Sequence, residues 1–101
     1  MVKIVVNQEE FLFNYVDVIP MLDRALKQFK KKYGRMPWGV NMGILEYASL
    51  IYYLEGKGIT CTGKYPVEYC GVFCFCNPDY NGHVIPLLDF EDVILDNSKE
   101  I

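Results

Sequence analysis

Residues 43 to 56, with the sequence GILEYASLIYYLEG, decide the fold because they predict a helix that is apolar nearly all round. At 1.5 Å per residue this helix is roughly 20 Å long. Only Glu46, Ser49 and Glu55 are polar within it. A helix of this kind needs cover on both sides. Two apolar stripes recur at helical spacing: Ile44, Tyr47, Ala48 and Ile51 in the first, and Leu45, Leu50, Tyr53 and Leu54 in the second.

The second stripe and the narrow polar edge predict an interface between copies of the chain. In 101 residues, the second cover is either the chain's own sheet and C-terminal segment or another copy of the protein. We expect a homodimer or higher homo-oligomer, in which two-fold symmetry buries one stripe against its counterpart. The residues expected in this contact are Leu45, Glu46, Ser49, Leu50, Tyr53 and Leu54.

Composition and charge indicate a globular chain and disfavour several classes of function. Apolar residues make up 51% and charged residues 23%, which is typical of one folded domain. The net charge of −3 disfavours a general nucleic-acid binder, which usually carries the opposite sign. No apolar run approaches the roughly 20 residues that cross a bilayer, and the N-terminus lacks a secretory signal. We therefore expect a cytoplasmic protein with reduced thiols and no membrane contact.

The segments before the central helix predict a strand and a second helix. Val2 to Val6 is a β-branched run typical of a strand. Asn7 and Glu10 then have the spacing of a capping box, which predicts a short helical turn after them. Apolar residues at 3, 4, 3, 4 spacing predict a helix over about 20–33. Gly34 follows as a left-handed cap.

Strands dominate the remainder of the chain. The β-prone segments are 40–42, 59–62, 67–70, 72–76 and 83–88. Gly71 marks a bulge or a tight hairpin, and Asn81-Gly82 predicts a type I′ corner. Pro86 places the last strand at an edge, because proline cannot donate to a ladder on both sides.

These elements predict a single α+β domain over residues 1–101. Two main helices pack on a mostly antiparallel sheet of four to five short strands, which the first strand joins. Residues 89–101 form an acidic tail, whose apolar residues make one docking turn of helix or stay loose.

The cysteines and the single histidine are the candidates for chemistry. Cys70, Cys74 and Cys76 share the parity of one face of an unbroken strand, and Cys61 and His83 could approach from neighbouring strands. Zinc usually takes paired Cys-x-x-Cys ligands, which this spacing does not supply. Free cysteines are commonly buried as small hydrophobes, so we expect no metal, cofactor or catalytic residue. A Cys61–Cys70 disulfide, a Cys–His nucleophile, and a small Cys/His metal- or ligand-binding domain are the alternatives.

A basic cluster ends the first long helix and has two interpretations. In one, cations in the last turns complement the helix dipole and face water. In the other, they contact phosphates, and binding to a polyanion would then weaken steeply with salt. We prefer the first interpretation, which disfavours nucleic acid as a partner. The cluster consists of Lys27, Lys30, Lys31, Lys32 and Arg35.

Several short motifs follow one another along the chain: Tyr33-Gly34, the PWGVNMG run over 37–43, Gly71-Val72, Asn77-Pro78 and Val84-Ile85-Pro86. Their order resembles small accessory proteins encoded by phages and prophages. The likeness covers most of the chain, but its motifs are a cap, a strand-to-helix turn and a hairpin, so it transfers no functional residue. It implies an accessory role of a mobile element in the cytoplasm of a host cell. In that setting, a non-enzymatic interaction protein would inhibit a host or anti-phage defence factor by occupying its surface.

Overall fold

The computed structural model describes residues 1–6, 8–61 and 64–88, and these form an α+β fold as predicted. Two helices and two sheets account for its regular structure. Along the chain the elements are β1 (Val2–Val6), β2 (Glu9–Phe13), α1 (Val18–Tyr33), β3 (Gly39–Met42), α2 (Ile44–Gly56), β4 (Val67–Tyr69), β5 (Val72–Cys76), a 3-10 turn (Pro78–Tyr80) and β6 (Val84–Leu87).

The larger sheet has the strand order β4-β5-β3-β6. Its β4–β5 and β3–β6 pairs are antiparallel, whereas β3 and β5 run parallel. The parallel pair arises because the chain crosses over through α2 between these two strands. The strand β6 lies at an edge, as Pro86 predicts.

The prediction that the first strand joins this sheet is wrong. Instead β1 pairs with β2 as a separate antiparallel hairpin, in a register from Val2 opposite Phe13 to Val6 opposite Glu9. The predicted helical turn is therefore a strand, and Glu10 lies opposite Val5 in the ladder. Asn7, the other half of the predicted capping box, lies outside the described residues. Cross-strand pairing of two β-prone runs outweighs a local helix signal here.

The helix α1 agrees closely with the predicted range of 20–33. Gly34 adopts a left-handed φ of 73°, and its N–H donates to the Lys30 carbonyl at 2.8 Å, so it is the cap that the sequence predicts. The segment 59–61, predicted as a strand, pairs with no strand in the described chain, and Thr62 lies outside it. The Ile59 N–H donates to the Leu54 carbonyl, so this segment closes α2 instead.

Both predicted turns are tight, but only one has the expected geometry. Cys70 and Gly71 have φ of 52° and 78° and join β4 to β5 as a two-residue hairpin, the geometry of a type I′ turn. At Asn81 the φ of −55° and ψ of 130°, followed by φ of 82° at Gly82, describe a type II turn. The His83 N–H closes this turn on the Tyr80 carbonyl at 2.9 Å.

The core lies between the two helices and one face of the larger sheet. This inner face comes from alternate residues of the strands, which point to one side. The buried core residues from the helices and this sheet are Val18, Leu22, Leu26, Val40, Met42, Tyr47, Leu50, Leu54, Val67, Val72 and Cys74.

Candidate functional site

The start of α2 is built around the absence of a side chain at Gly43. A Cβ at this position would lie 2.5 Å from the Asn81 Cα and closer still to the Glu46 Oε1. The backbone of Gly43 is extended, with φ of −69° and ψ of 173°, so it is space and not conformation that requires glycine. The loop between β5 and β6 therefore packs directly on the first turn of α2.

Glu46 holds this loop from inside the protein. It is only 3% exposed, and its Oε1 accepts the Gly82 N–H at 3.0 Å. The Asn81 Oδ1 in turn accepts the Ile44 N–H at 3.2 Å, which satisfies one of the free donors at the helix start. A carboxylate in the first turn also interacts favourably with the helix dipole.

Ser49 and its neighbours on α2 are interior residues as well. Ser49 is fully buried, and its Oγ accepts the Val16 N–H at 2.8 Å, which ties α2 to the segment that precedes α1. Leu50 and Leu54 belong to the core. These side chains are buried among residues of their own chain.

The structure thus corrects the predicted make-up of the interface. Of the six residues expected in it, Glu46, Ser49, Leu50 and Leu54 are buried within one chain, which leaves only Leu45 and Tyr53 accessible. The sequence predicts two apolar stripes, but it does not say which of them the chain itself covers. Non-local packing on the larger sheet and on the β1–β2 hairpin decides this.

A different apolar surface of α2 faces outward, and we name it the outer face. It consists of Ile44, Leu45, Ala48 and Tyr52, which lie on one side of the helix at i, i+1, i+4 and i+8. Ile44 is 50% exposed, and Leu45 and Tyr52 are each 42% exposed. Glu55 is the charged residue at the C-terminal end of this face.

A tyrosine-lined cleft of about 390 Å³ borders the outer face on the side of the hairpin. The Tyr15 and Tyr52 rings meet edge-on, with centroids 5.6 Å apart. Burial raises the pKa of Tyr15, and the negative charge of Asp17 adds to this rise. The Lys57 Nζ lies 5.5 Å from the centre of the Tyr53 ring, so this cation is turned toward the cleft and away from the outer face.

The cysteines differ in exposure and lie on more than one element. Cys74 is buried and Cys70 is exposed on the hairpin turn, so the predicted shared parity fails because the strand breaks at Gly71. Among the described residues no three His, Cys, Asp and Glu side chains come together as metal ligands. His83 is exposed beyond its turn.

The buried thiols are also poor nucleophiles. Burial raises the pKa of Cys74 to about 12, with the neighbouring Cys70 adding to the rise. Burial raises the pKa of Cys61 too, and Glu55 contributes. Because the thiolate is the reactive form, this environment opposes nucleophilic chemistry at both sites.

The side of the larger sheet opposite the core is aromatic, and we name it the aromatic face. It is formed by Trp38, Phe73 and Phe75, with Trp38 stacked on Phe75 at a centroid distance of 5.4 Å and an interplanar angle of 16°. Tyr65 completes it at the edge of the sheet, where its ring meets both Phe75 and the core residue Tyr47. A Cβ at Gly39 would lie 2.8 Å from the Phe75 ring, so glycine lets this ring cover β3. The alternation of Phe and Cys in β5 predicts that the rings lie on one side of the sheet and the thiols on the other. It does not predict that both helices pack on the thiol side.

The basic end of α1 lies near one margin of this aromatic face. Lys30, Lys31 and Lys32 occupy the last turn of α1. Arg35, just beyond the cap, donates from Nη2 to the Leu88 carbonyl at 2.9 Å, which joins the helix end to the end of β6. The basic cluster at the end of α1 therefore lies in the same region of the surface as the start of β3.

Comparison with protein-family models, with curated proteins and with solved structures gives no match to this chain. The resemblance to phage accessory proteins, and the inhibition of a host factor that it implies, therefore stay predictions. Within the described part of the chain, neither helix is long and apolar enough to span a bilayer.

Proposed function

We propose that the chain is a non-enzymatic interaction protein that self-associates through the outer face of α2. The observation that carries the proposal is the exposure of Ile44, Leu45 and Tyr52 together on one side of a helix whose opposite side packs into the core or lines the tyrosine cleft. Scattered exposed apolar residues need no explanation, whereas a contiguous apolar patch marks an interaction site. The occupant we propose is the same face of a second copy.

Charge supports an antiparallel arrangement of the two helices. A two-fold axis through the outer face would place Glu55 of each copy beside the N-terminus of the partner helix, where the dipole favours negative charge. Lys57 would not oppose this contact, because its ammonium group lies over the Tyr53 ring on the cleft side. Glu46 in the first turn of the partner helix carries the same sign as Glu55, but it is buried on the side of that helix away from the outer face.

The available area indicates a weak dimer. The outer face spans a helix of 13 residues, and Tyr15, which is 40% exposed and in contact with Tyr52, extends it toward the hairpin. A contact of this extent lies near or below the roughly 1,200 Å² of total area that marks the low end of specific interfaces. We therefore expect dissociation in the micromolar range.

Sedimentation velocity from about 1 to about 100 µM tests the proposal over the range in which such a contact dissociates. The wild-type chain should shift from monomer to dimer as its concentration rises. Leu45→Asp should remain monomeric, because it places an unpaired charge in the contact. Aspartate in the first turn of a helix is compatible with the dipole, so this variant should still fold, which circular dichroism checks.

Ile59→Asp is the matched control, since Ile59 is equally half-exposed but lies outside α2. It should dimerise like the wild type. A wild-type chain that stays monomeric over the whole range would refute the proposal. So would a Leu45→Asp variant that dimerises normally.

A further inference from the structure

The aromatic face presents rings that are already fixed in position. The Tyr65 hydroxyl accepts the Cys76 N–H at 3.0 Å and donates to the Cys76 carbonyl at 3.4 Å, which holds the ring against β5. Its edge meets Phe75 at a centroid distance of 6.2 Å. The rings of Phe73 and Trp38 are neighbours, with centroids 6.2 Å apart. Stacking of a flat ligand on these rings would therefore cost the protein little side-chain conformational entropy.

Tyr65 and Phe73 are also the accessible rings of this set. Tyr65 is 61% exposed and Phe73 is 41% exposed, whereas Trp38 and Phe75 are half-buried against each other. With about 200 Å² for each aromatic residue, Tyr65 and Phe73 together leave roughly 200 Å² of residue surface in contact with solvent. Large exposed rings on the outward side of a sheet offer stacking partners.

Charge is distributed unevenly along the chain, and this changes what the net value of −3 implies. Nine of the ten Lys and Arg residues and eight of the thirteen Asp and Glu residues lie in residues 1–88, which therefore carry a net charge of +1. Residues 89–101 carry the remaining −4. The charge argument against nucleic acid thus rests on residues 89–101 and does not apply to residues 1–88, which include the rings.

Cations lie on two sides of the aromatic face. Arg35 and the lysines of the last turn of α1 lie toward the margin where Trp38 leads into β3. Lys64 immediately precedes Tyr65 on another side, and it is exposed. Glu68 is the acidic side chain next to the rings, since it lies opposite Phe73 in the β4–β5 register. Positive charge around exposed rings is the combination that single-stranded nucleic acids require.

We propose that the aromatic face binds single-stranded nucleic acid, with bases stacked on Tyr65 and Phe73 and phosphates near Lys64 and the basic end of α1. Stacking tolerates any base, because every base has a π face, so little sequence preference is expected. Duplex DNA keeps its bases paired inside and should bind much more weakly. This proposal is independent of self-association, since the aromatic face and the outer face of α2 are separate surfaces.

Fluorescence anisotropy with a labelled oligothymidine of about 12 nucleotides tests it on the full chain. Affinity should fall as salt rises from about 50 to about 200 mM, because bound counterions are released. Phe73→Leu should weaken binding by about 5- to 100-fold through loss of one stacking partner. Lys64→Gln should weaken binding and reduce the salt dependence, whereas Lys57→Gln, a lysine by the tyrosine cleft, should bind like the wild type.

Absence of binding at low salt would overturn the proposal, as would binding that Phe73→Leu leaves unchanged in a folded variant. Equal affinity for the duplex and the single strand would overturn it as well, since it would indicate charge without stacking. A Phe73→Leu variant that alters oligomeric state while oligonucleotide binding is absent or unchanged would identify the face as a protein contact instead. None of these outcomes bears on the Leu45→Asp test of the outer face.

Discussion

Glu46 and Gly82 are 36 residues apart in the chain, yet the Glu46 Oε1 accepts the Gly82 N–H at 3.0 Å. The bond joins the first turn of α2 to the turn that leads into β6. A buried carboxylate is costly without a partner, and here a backbone donor and the helix N-terminus supply the compensation. An acidic residue that looks like the polar edge of a surface helix therefore holds two non-local segments together.

Glu46→Ala should lower the free energy of unfolding by about 2 kcal/mol, since a hydrogen bond to a charged group is lost and the Gly82 N–H is left without that partner. Urea unfolding followed by circular dichroism measures this. Glu55→Ala, on the exposed side of the same helix, is the control and should stay within about 0.5 kcal/mol of the wild type. Equal effects of the two variants would show that the Glu46 contact is unimportant.

Gly43→Ala should destabilise the fold by about 2–3 kcal/mol, because the added methyl group overlaps the backbone of Asn81 and forces the loop away from α2. Gly56→Ala adds a methyl group where no atom of the described part of the chain lies within 4 Å, and it should be neutral or stabilise by up to about 1 kcal/mol. Thermal unfolding of both variants gives the comparison. A Gly43→Ala variant that melts with the wild type would contradict the close approach at this position.

Tyr47→Phe should stabilise the protein by about 1 kcal/mol, because the buried Tyr47 hydroxyl has no hydrogen-bond partner among the described residues and its removal relieves a desolvation cost. The Val67 backbone lies close to this hydroxyl but without hydrogen-bond geometry. Tyr65→Phe is the matched control: the rings are 5.7 Å apart, and the Tyr65 hydroxyl does bond the Cys76 backbone. Tyr65→Phe should lower the free energy of unfolding by about 1 kcal/mol. Changes of opposite sign for the two variants in urea unfolding would confirm that, of these two hydroxyls, the one of Tyr65 is hydrogen-bonded.

Stability should fall at alkaline pH. Burial raises the pKa of Tyr47 from 10.0 to about 12 and that of Cys74 from 9.0 to about 12. Below pH of about 9 both folded and unfolded chains keep these protons, so neither group contributes a pH dependence. Between about pH 9 and 12 the unfolded chain releases protons that the folded chain retains, so the free energy of unfolding decreases as pH rises.

Urea unfolding at a series of pH values measures this decrease. Tyr47→Phe should show a shallower decrease above pH of about 10, because one of the contributing groups is gone. A wild-type stability that stays constant across this range would contradict the burial of both groups.

Thiol labelling should separate the cysteines by position. Cys70 is exposed on the β4–β5 turn, so iodoacetamide should alkylate it first. Cys74 is fully buried with a raised pKa, which suppresses both access and thiolate formation. Peptide mass spectrometry at intervals should show Cys70 modified well before Cys61 and Cys74, and all four cysteines modified in urea. Equal rates in the folded protein would indicate that β5 opens readily.

The sequence alone determined the elements whose signals are local. The periodicity and Gly34 bounded α1, the GILEYASLIYYLEG run specified α2, and Pro86 placed β6 at the sheet edge. In each case neighbouring residues carry the physical cause: a helical spacing, a left-handed cap, or a missing N–H.

Only the tertiary structure decided which surfaces remain open. The hairpin partner of β1, the burial of Glu46 and Ser49, the outer face of α2 and the aromatic face all depend on contacts between distant segments. An apolar helix satisfies its need for cover equally well against its own sheet or against another molecule, because hydrophobic burial has no direction. Which side of α2 is covered is therefore settled by the path of the chain and not by the pattern of the helix.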